Sequence, residues 1–137
     1  MTAMLDVANL LKNHIAASFP AVRFATCGTP EEAVNGKSLP GGIRPPCVLI
    51  LAGEGGHTDS TLTRRQQFHL ILIDSLKGPG DARAAAVWSK FDELQALFPV
   101  DGMQSGEVVF LPESFRMLES ADGRAAVCLT VAAMVPA

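Results

Sequence analysis

Thr61 to Asp74, TLTRRQQFHLILID, is the stretch that most narrows what this chain can fold into. From Gln66 onward, Phe68, Leu70 and Leu72 fall on one side of an extended backbone and His69, Ile71 and Ile73 on the other, because side chains alternate along a strand. Both sides are therefore largely apolar. A strand with one face in water alternates apolar with polar residues, so this one is predicted mid-sheet, with helices over one face and further chain or a second subunit over the other.

Cys47 to Ala52, CVLILA, is a short apolar run between Pro46 and Gly53, predicted as a strand buried on both sides and antiparallel to the Thr61–Asp74 strand. The GEGGHTDS segment between them reads as a flexible loop, too long for a tight turn and too short for a crossover helix. Gly53, Gly55 and Gly56 are followed by no GK[ST] and open no helix, which argues for a connector over a phosphate cradle.

Two longer helices are expected. Met4, Ala8, Leu11, Ile15 and Phe19 recur at helical spacing over Leu5–Phe19, with Thr2 as cap and Pro20 as stop. Ala84, Val87, Trp88, Phe91, Leu94 and Phe98 form a second stripe after Asp81, its natural cap, and Trp88 is placed in the core. Ala21 to Thr26 reads as an edge strand. In TPEEAVNGK, Thr29 caps a one- to two-turn helix, Pro30 suits its first position, Glu32 completes a capping box and Gly36 ends it. Ser38 to Pro46, with three prolines and two glycines, is a connector or a contact arm.

Pro99 to Gly106 reads as a turn-rich connection, followed by strands at Glu107–Leu111, Ser114–Ser120 and Arg124–Val135, the last two a hairpin turned at Ala121, Asp122 and Gly123. On the final strand Val127, Leu129, Val131 and Val135 make a bulky face predicted to meet the helices, and Ala126, Cys128, Thr130 and Ala132 make a face of small residues suited to another sheet or subunit. The expected fold is α+β, one two-layer domain over 1–137 with a mainly antiparallel sheet and two long helices on one face.

Hydrophobic residues make up 48% of the chain and charged residues 18%, enough to build a packed core and too apolar for wholesale disorder. Eleven Lys and Arg against fourteen Asp and Glu leave a net charge of −3, which gives no electrostatic drive toward nucleic acid. Cys27, Cys47 and Cys128 show no CxxC spacing and fit small core residues in a reducing compartment. The N-terminus carries Asp6 and Lys12 inside its apolar pattern, which reads as neither a signal peptide nor a membrane span.

No catalytic order connects His14, His57 or His69 to a Ser, Cys or carboxylate, and Ser60 and Ser114 lack a nucleophile elbow, so no catalytic, cofactor or metal residue is assigned. His69 reads as a satisfied core or interface histidine. Arg64 and Arg65, with Arg44 placed near them across the loop, form the one local basic spot. Together with His69, Cys128 and Thr130 on the second face, these are the candidate subunit contacts.

The succession LDVANLLKNHIAASFPAVRF, RPPCVLILAGEG, RRQQFHLILIDS, AAAVWSKFDELQALF and FRMLESADGRAAVCLTVAAMV resembles small tail proteins of Mu-like phages and prophages, of the tail-terminator or tail-completion type. The resemblance implies a structural, non-enzymatic subunit that forms a six-membered homo-oligomeric ring on the end of the tail tube and contacts head-completion proteins. It would be found in the host cytoplasm during assembly and then in the virion tail. Two other readings stand beside it: a small cytoplasmic enzyme or ligand-binding domain with a pocket near His69 and Arg65, and an adaptor dimer whose small-residue faces stack.

Overall fold

The computed structural model describes residues 3–35, 44–57, 63–74, 80–118 and 125–136. Helix α1 (Met4–Ala16) turns Val7, Leu11 and Ile15 inward at four-residue intervals, and all three are fully buried. Its N-cap is Ala3, which offers no side-chain bond; Thr2, expected as the cap, lies outside the described residues. The helix closes where the amides of Ser18 and Phe19 both donate to the Ile15 carbonyl, at 3.0 and 2.8 Å, just before Pro20. Strand β1 (Val22–Phe24) follows at one border of the sheet, as its polar content predicts.

Helix α2 (Pro30–Asn35) has the cap chemistry its sequence announces. The Glu32 amide donates to Thr29 Oγ1 at 3.3 Å, while the Glu32 carboxylate accepts from the Gly28 amide at 3.1 Å, one residue earlier than a regular capping box reaches. Strands β2 (Cys47–His57) and β3 (Thr63–Ile73) then run antiparallel, Cys47 opposite Ile73 and His57 opposite Arg64. Helix α3 (Gly80–Gln95) crosses back over the sheet, and β4 (Met103–Ser105), β5 (Val108–Leu118) and β6 (Ala126–Pro136) complete the chain.

The result is a mixed α/β fold around a six-stranded sheet of order β1-β2-β3-β6-β5-β4. Every pairing is antiparallel except β1 with β2. Strand β3 is central, as its two apolar sides require. One core cluster joins Val7, Leu11 and Ile15 of α1, Val87, Phe91 and Leu94 of α3, and the β3 and β6 side chains Phe68, Leu70, Val127 and Leu129. A smaller cluster on the reverse face joins Ala33 and Val34 of α2 to Leu49, Ile71, Ile73 and Cys128.

The structure departs from several sequence expectations. Gly53 to His57 is strand, not loop: β2 continues through an irregularity between Ala52 and Gly55 and keeps pairing with β3. The strands expected at Glu107–Leu111 and Ser114–Ser120 are not separate: β5 runs unbroken over Val108–Leu118, and its shift between Pro112 and Ser114 admits the proline without ending the ladder, while Glu119 and Ser120 lie outside the described residues. The Pro99–Gly106 connection contains β4, which turns into β5 through Gly106 and Glu107. Gly106 has φ +60°, the positive value a two-residue hairpin needs at its first position. Asp81 lies inside α3 and does not precede it.

Trp88 is 40% exposed and does not lie in the core. The inward stripe of α3 is Val87, Phe91 and Leu94, and a rotation of about 100° per residue carries Trp88 to its rim. There its ring meets Phe91 and Phe115 edge-on, with centroids 5.7 and 6.4 Å apart.

Strands β1 and β4 are only three residues long, which leaves the sheet borders unfinished. β1 pairs with β2 up to Ile50, and β4 with β5 up to Phe110. Among the described residues, 51–57 of β2 and 111–118 of β5 have no strand on their outer side.

The packing of α3 predicts unequal losses on truncation. Phe91→Ala should cost about 3–5 kcal/mol in denaturant unfolding, as large-to-small changes in a closed core do, and Trp88→Ala less than half as much. Equal losses would contradict the rim position of Trp88.

Candidate functional site

The face of the sheet opposite α1 and α3 is apolar where α2 covers it and polar beyond. Cys128 stands opposite Ile71, at the margin of the covered part, and one step further along the ladder His69 stands opposite Thr130. His69 Nδ1 and Thr130 Oγ1 share a hydrogen bond of 2.9 Å whose direction follows the imidazole tautomer, and this bond satisfies an almost fully buried hydroxyl. Beyond them, Arg65 is ion-paired with Glu113, and the Gln67 amide donates to the same carboxylate at 3.0 Å. Arg116 Nη2 reaches Glu31 Oε1 of α2 at 2.6 Å.

Electrostatics fix the resting forms of this band. Burial first, and then the Arg116 charge, hold the His69 imidazole below its ordinary pKa, while Glu31 acts weakly the other way. Burial pushes the Cys128 thiol up, which keeps it protonated at neutral pH and unlike an activated thiolate. Glu31 is held below the usual carboxylate range by its backbone hydrogen bond and by Arg116. Among the described residues, no group of three or more His, Cys, Asp or Glu side chains is arranged to hold a metal ion. No helix among them is long and apolar enough to cross a membrane.

Of the residues singled out by sequence, Arg65, His69, Cys128 and Thr130 are brought to this one face. Arg64 is not: strand alternation turns its side chain to the other side, beside a groove of ≈ 280 Å³ at the sheet's end that Met4, Gly56 and also Arg65 line. Arg44 is not near either arginine, because it precedes the end of β2 that pairs with Ile73, whereas Arg64 and Arg65 occupy the far end of β3. A rise of about 3.4 Å per residue separates those ends by about 30 Å. Glu31, Gln67, Glu113 and Arg116 complete the band and were not singled out. Their grouping depends on the β5 irregularity and on where α2 docks, neither of which has a local sequence signal.

Gly53 belongs to this band for a steric reason. A Cβ there would lie 2.8 Å from His69 Nε2 and 3.1 Å from Gln67 Cβ, so glycine leaves room for the imidazole over the strand. Gly56, by contrast, has nothing within 4 Å of a Cβ position.

A second feature lies along the open part of β5. Trp88 (40%), Val100 (88%), Phe115 (51%) and Met117 (42%) are large apolar side chains left in solvent. A shallow groove of ≈ 430 Å³ lies between Val100 and Phe115, lined also by Gln95, Pro112, Glu113 and Leu129, and Trp88 meets the Phe115 ring beside it. Phe115 stands opposite Leu129 and Met117 opposite Val127, so both point to the α3 side of the sheet.

No family model and no curated protein matches this chain. Similarity is found among solved structures: one whose name states no function covers 98% of this chain and 96% of its own, at 22% identity and a TM-score of 0.56. At that identity the likeness shows the fold alone.

Two outcomes follow from the band. Gly53→Ala should destabilise by about 1–3 kcal/mol, the usual cost of overpacking, while Gly56→Ala stays within about 0.5 kcal/mol. Because the His69 pKa is lowered by folding, the unfolded state binds more protons as the pH falls below about 6.5, the ordinary histidine value, so its share of stability is complete above that pH and lost below it. The drop in melting temperature between pH 7 and pH 5 should therefore be smaller in His69→Gln than in the wild type; an equal drop would contradict the assignment.

Proposed function

We propose that this chain is a structural tail protein of a phage or prophage, a terminator or completion subunit that closes into a homo-oligomeric ring at the end of the tail tube and contributes to head-tail joining. The observation that carries the reading is the pair of unfinished borders: among the described residues the sheet has one open edge on β2 and a different one on β5, on opposite sides of the same subunit. Unlike patches on opposite sides are what head-to-tail ring closure uses, whereas a twofold dimer needs one self-complementary patch. The sequence resemblance described above supplies the biological setting.

In this reading the subunit is a two-layer α+β domain with α1 and α3 as its main helical layer, supported by the core they share with β3 and β6. Its role is assembly and not catalysis. The polar band around His69 and the arginine and carboxylate pairs beside it supply specificity at subunit or tube contacts, since ion pairs this exposed contribute little stability. The host cytoplasm during assembly, and then the virion tail, are the places such a subunit occupies.

The reading is tested by mass in solution. Light scattering over a concentration series should show a species near six times 14.4 kDa, 86.4 kDa. A closed dimer that does not change with concentration would contradict the ring.

A further inference from the structure

Apart from Pro112, which has no N–H, and the irregularities at Ala52/Gly55 and Pro112/Ser114, each open edge presents backbone N–H and C=O groups that a neighbouring strand can satisfy. Here the two edges are matched in length and opposite in character. At about 3.4 Å per residue, 51–57 extends about 24 Å and 111–118 about 27 Å. Apart from Glu54, the exposed residues of the β2 edge are small, Ala52, Gly55 and Gly56, and the space beside Gly56 is empty. The β5 edge carries Phe115 and Met117; Trp88 packs edge-on against Phe115, and Val100 lines the groove beside it.

From this we infer that the open half of β5, with the Trp88–Phe115–Met117 patch beside it, receives the open half of β2 from a second copy of this chain, so that the sheets of adjacent copies join edge to edge. Backbone hydrogen bonds supply the pairing, and the aromatic side chains extend over a neighbouring strand that has glycine where side chains would obstruct them, as aromatic groups do beside edge glycines. A subunit that donates one edge and receives at the other adds copies in one rotational sense, and the right-handed twist of strands curves the row. This inference deepens the ring reading and rests on it.

The test uses two full-length variants that alter one edge each. Phe115→Lys with Met117→Lys places lysines at exposed positions of the β5 edge, and Gly56→Lys places one on the β2 edge where a side chain meets nothing. Unchanged circular dichroism and melting temperature establish that each variant folds; should the double β5 variant fail to fold, Val100→Lys, at the most exposed apolar position, replaces it. Each variant alone should remain at 14.4 kDa where the wild type assembles, and the two mixed should form a 1:1 pair of 28.8 kDa, because each retains the edge the other lacks.

A Gly56→Lys variant that still self-associates overturns the inference in favour of β5 pairing with β5. Variants that both keep the wild-type ring overturn the edge assignment and leave the ring standing. A wild type that forms a closed dimer overturns the ring itself. A wild type that stays at 14.4 kDa at every concentration overturns edge pairing as the contact this chain makes by itself.

Discussion

Strand β3 lies residue for residue against β6, from Thr63 opposite Pro136 to Ile73 opposite Ala126, and the rest of the structure depends on this ladder. Both of its faces are used. Phe68, Leu70, Leu72, Val127, Leu129 and Val131 build the large core with α1 and α3, while Ile71, Ile73, Ala126 and Cys128 build the smaller one under α2. A shift of one residue would exchange the two faces and place His69 and Thr130 in the large core, so the pattern of side chains on both strands fixes the register. Once that ladder is set, β2 and β5 can be added only on its two sides, and the functional surface follows from where their own outer neighbours stop.

The chain finishes the centre of its sheet thoroughly and its borders poorly. The central strands are closed by apolar burial that yields roughly 25 cal/mol per Å² removed from water. At the borders, β1 and β4 each protect one end of a long strand, and no other strand among the described residues covers the other end. Four of the large apolar side chains left in solvent lie beside one such bare end, on α3, the turn after it and β5. An arrangement that unites unpaired backbone with exposed aromatic surface fits a second chain better than it fits a small ligand, because a strand can supply both hydrogen bonds and apolar cover. The ion pairs beside His69 on the reverse face are exposed or half-exposed, suited to choosing a partner more than to holding one.

Much of this was legible in the sequence, and for identifiable reasons. The two apolar sides of Phe68–Ile73 announced a central strand, the bulky and small faces of Val127–Val135 announced which side meets the helices, and Thr29, Pro30 and Glu32 announced α2. What stayed hidden required knowledge of neighbours. Gly53 and Gly55 look like loop residues until Gln66, Gln67 and His69 are seen to occupy the space their side chains would take. Trp88 fits a helical stripe until the stripe is seen to turn through Val87 and Phe91. The polar band joins Glu31, Arg65, His69, Glu113 and Arg116 from α2, β3 and β5, and no spacing along the chain encodes that meeting. Gly106 with Glu107 was the one missed signal of a recognisable kind, a two-residue hairpin turn hidden by the brevity of β4.

The claim at the centre of this account is that both unfinished edges are used in the same contact. Amide hydrogen exchange, compared at concentrations below and above assembly, examines both edges in one experiment. The account predicts that amides within 51–57 and 111–118 gain protection together while those of the β3–β6 ladder, already paired, do not change. Protection gained in only one of the two segments, or in neither once the chain has assembled, would contradict it.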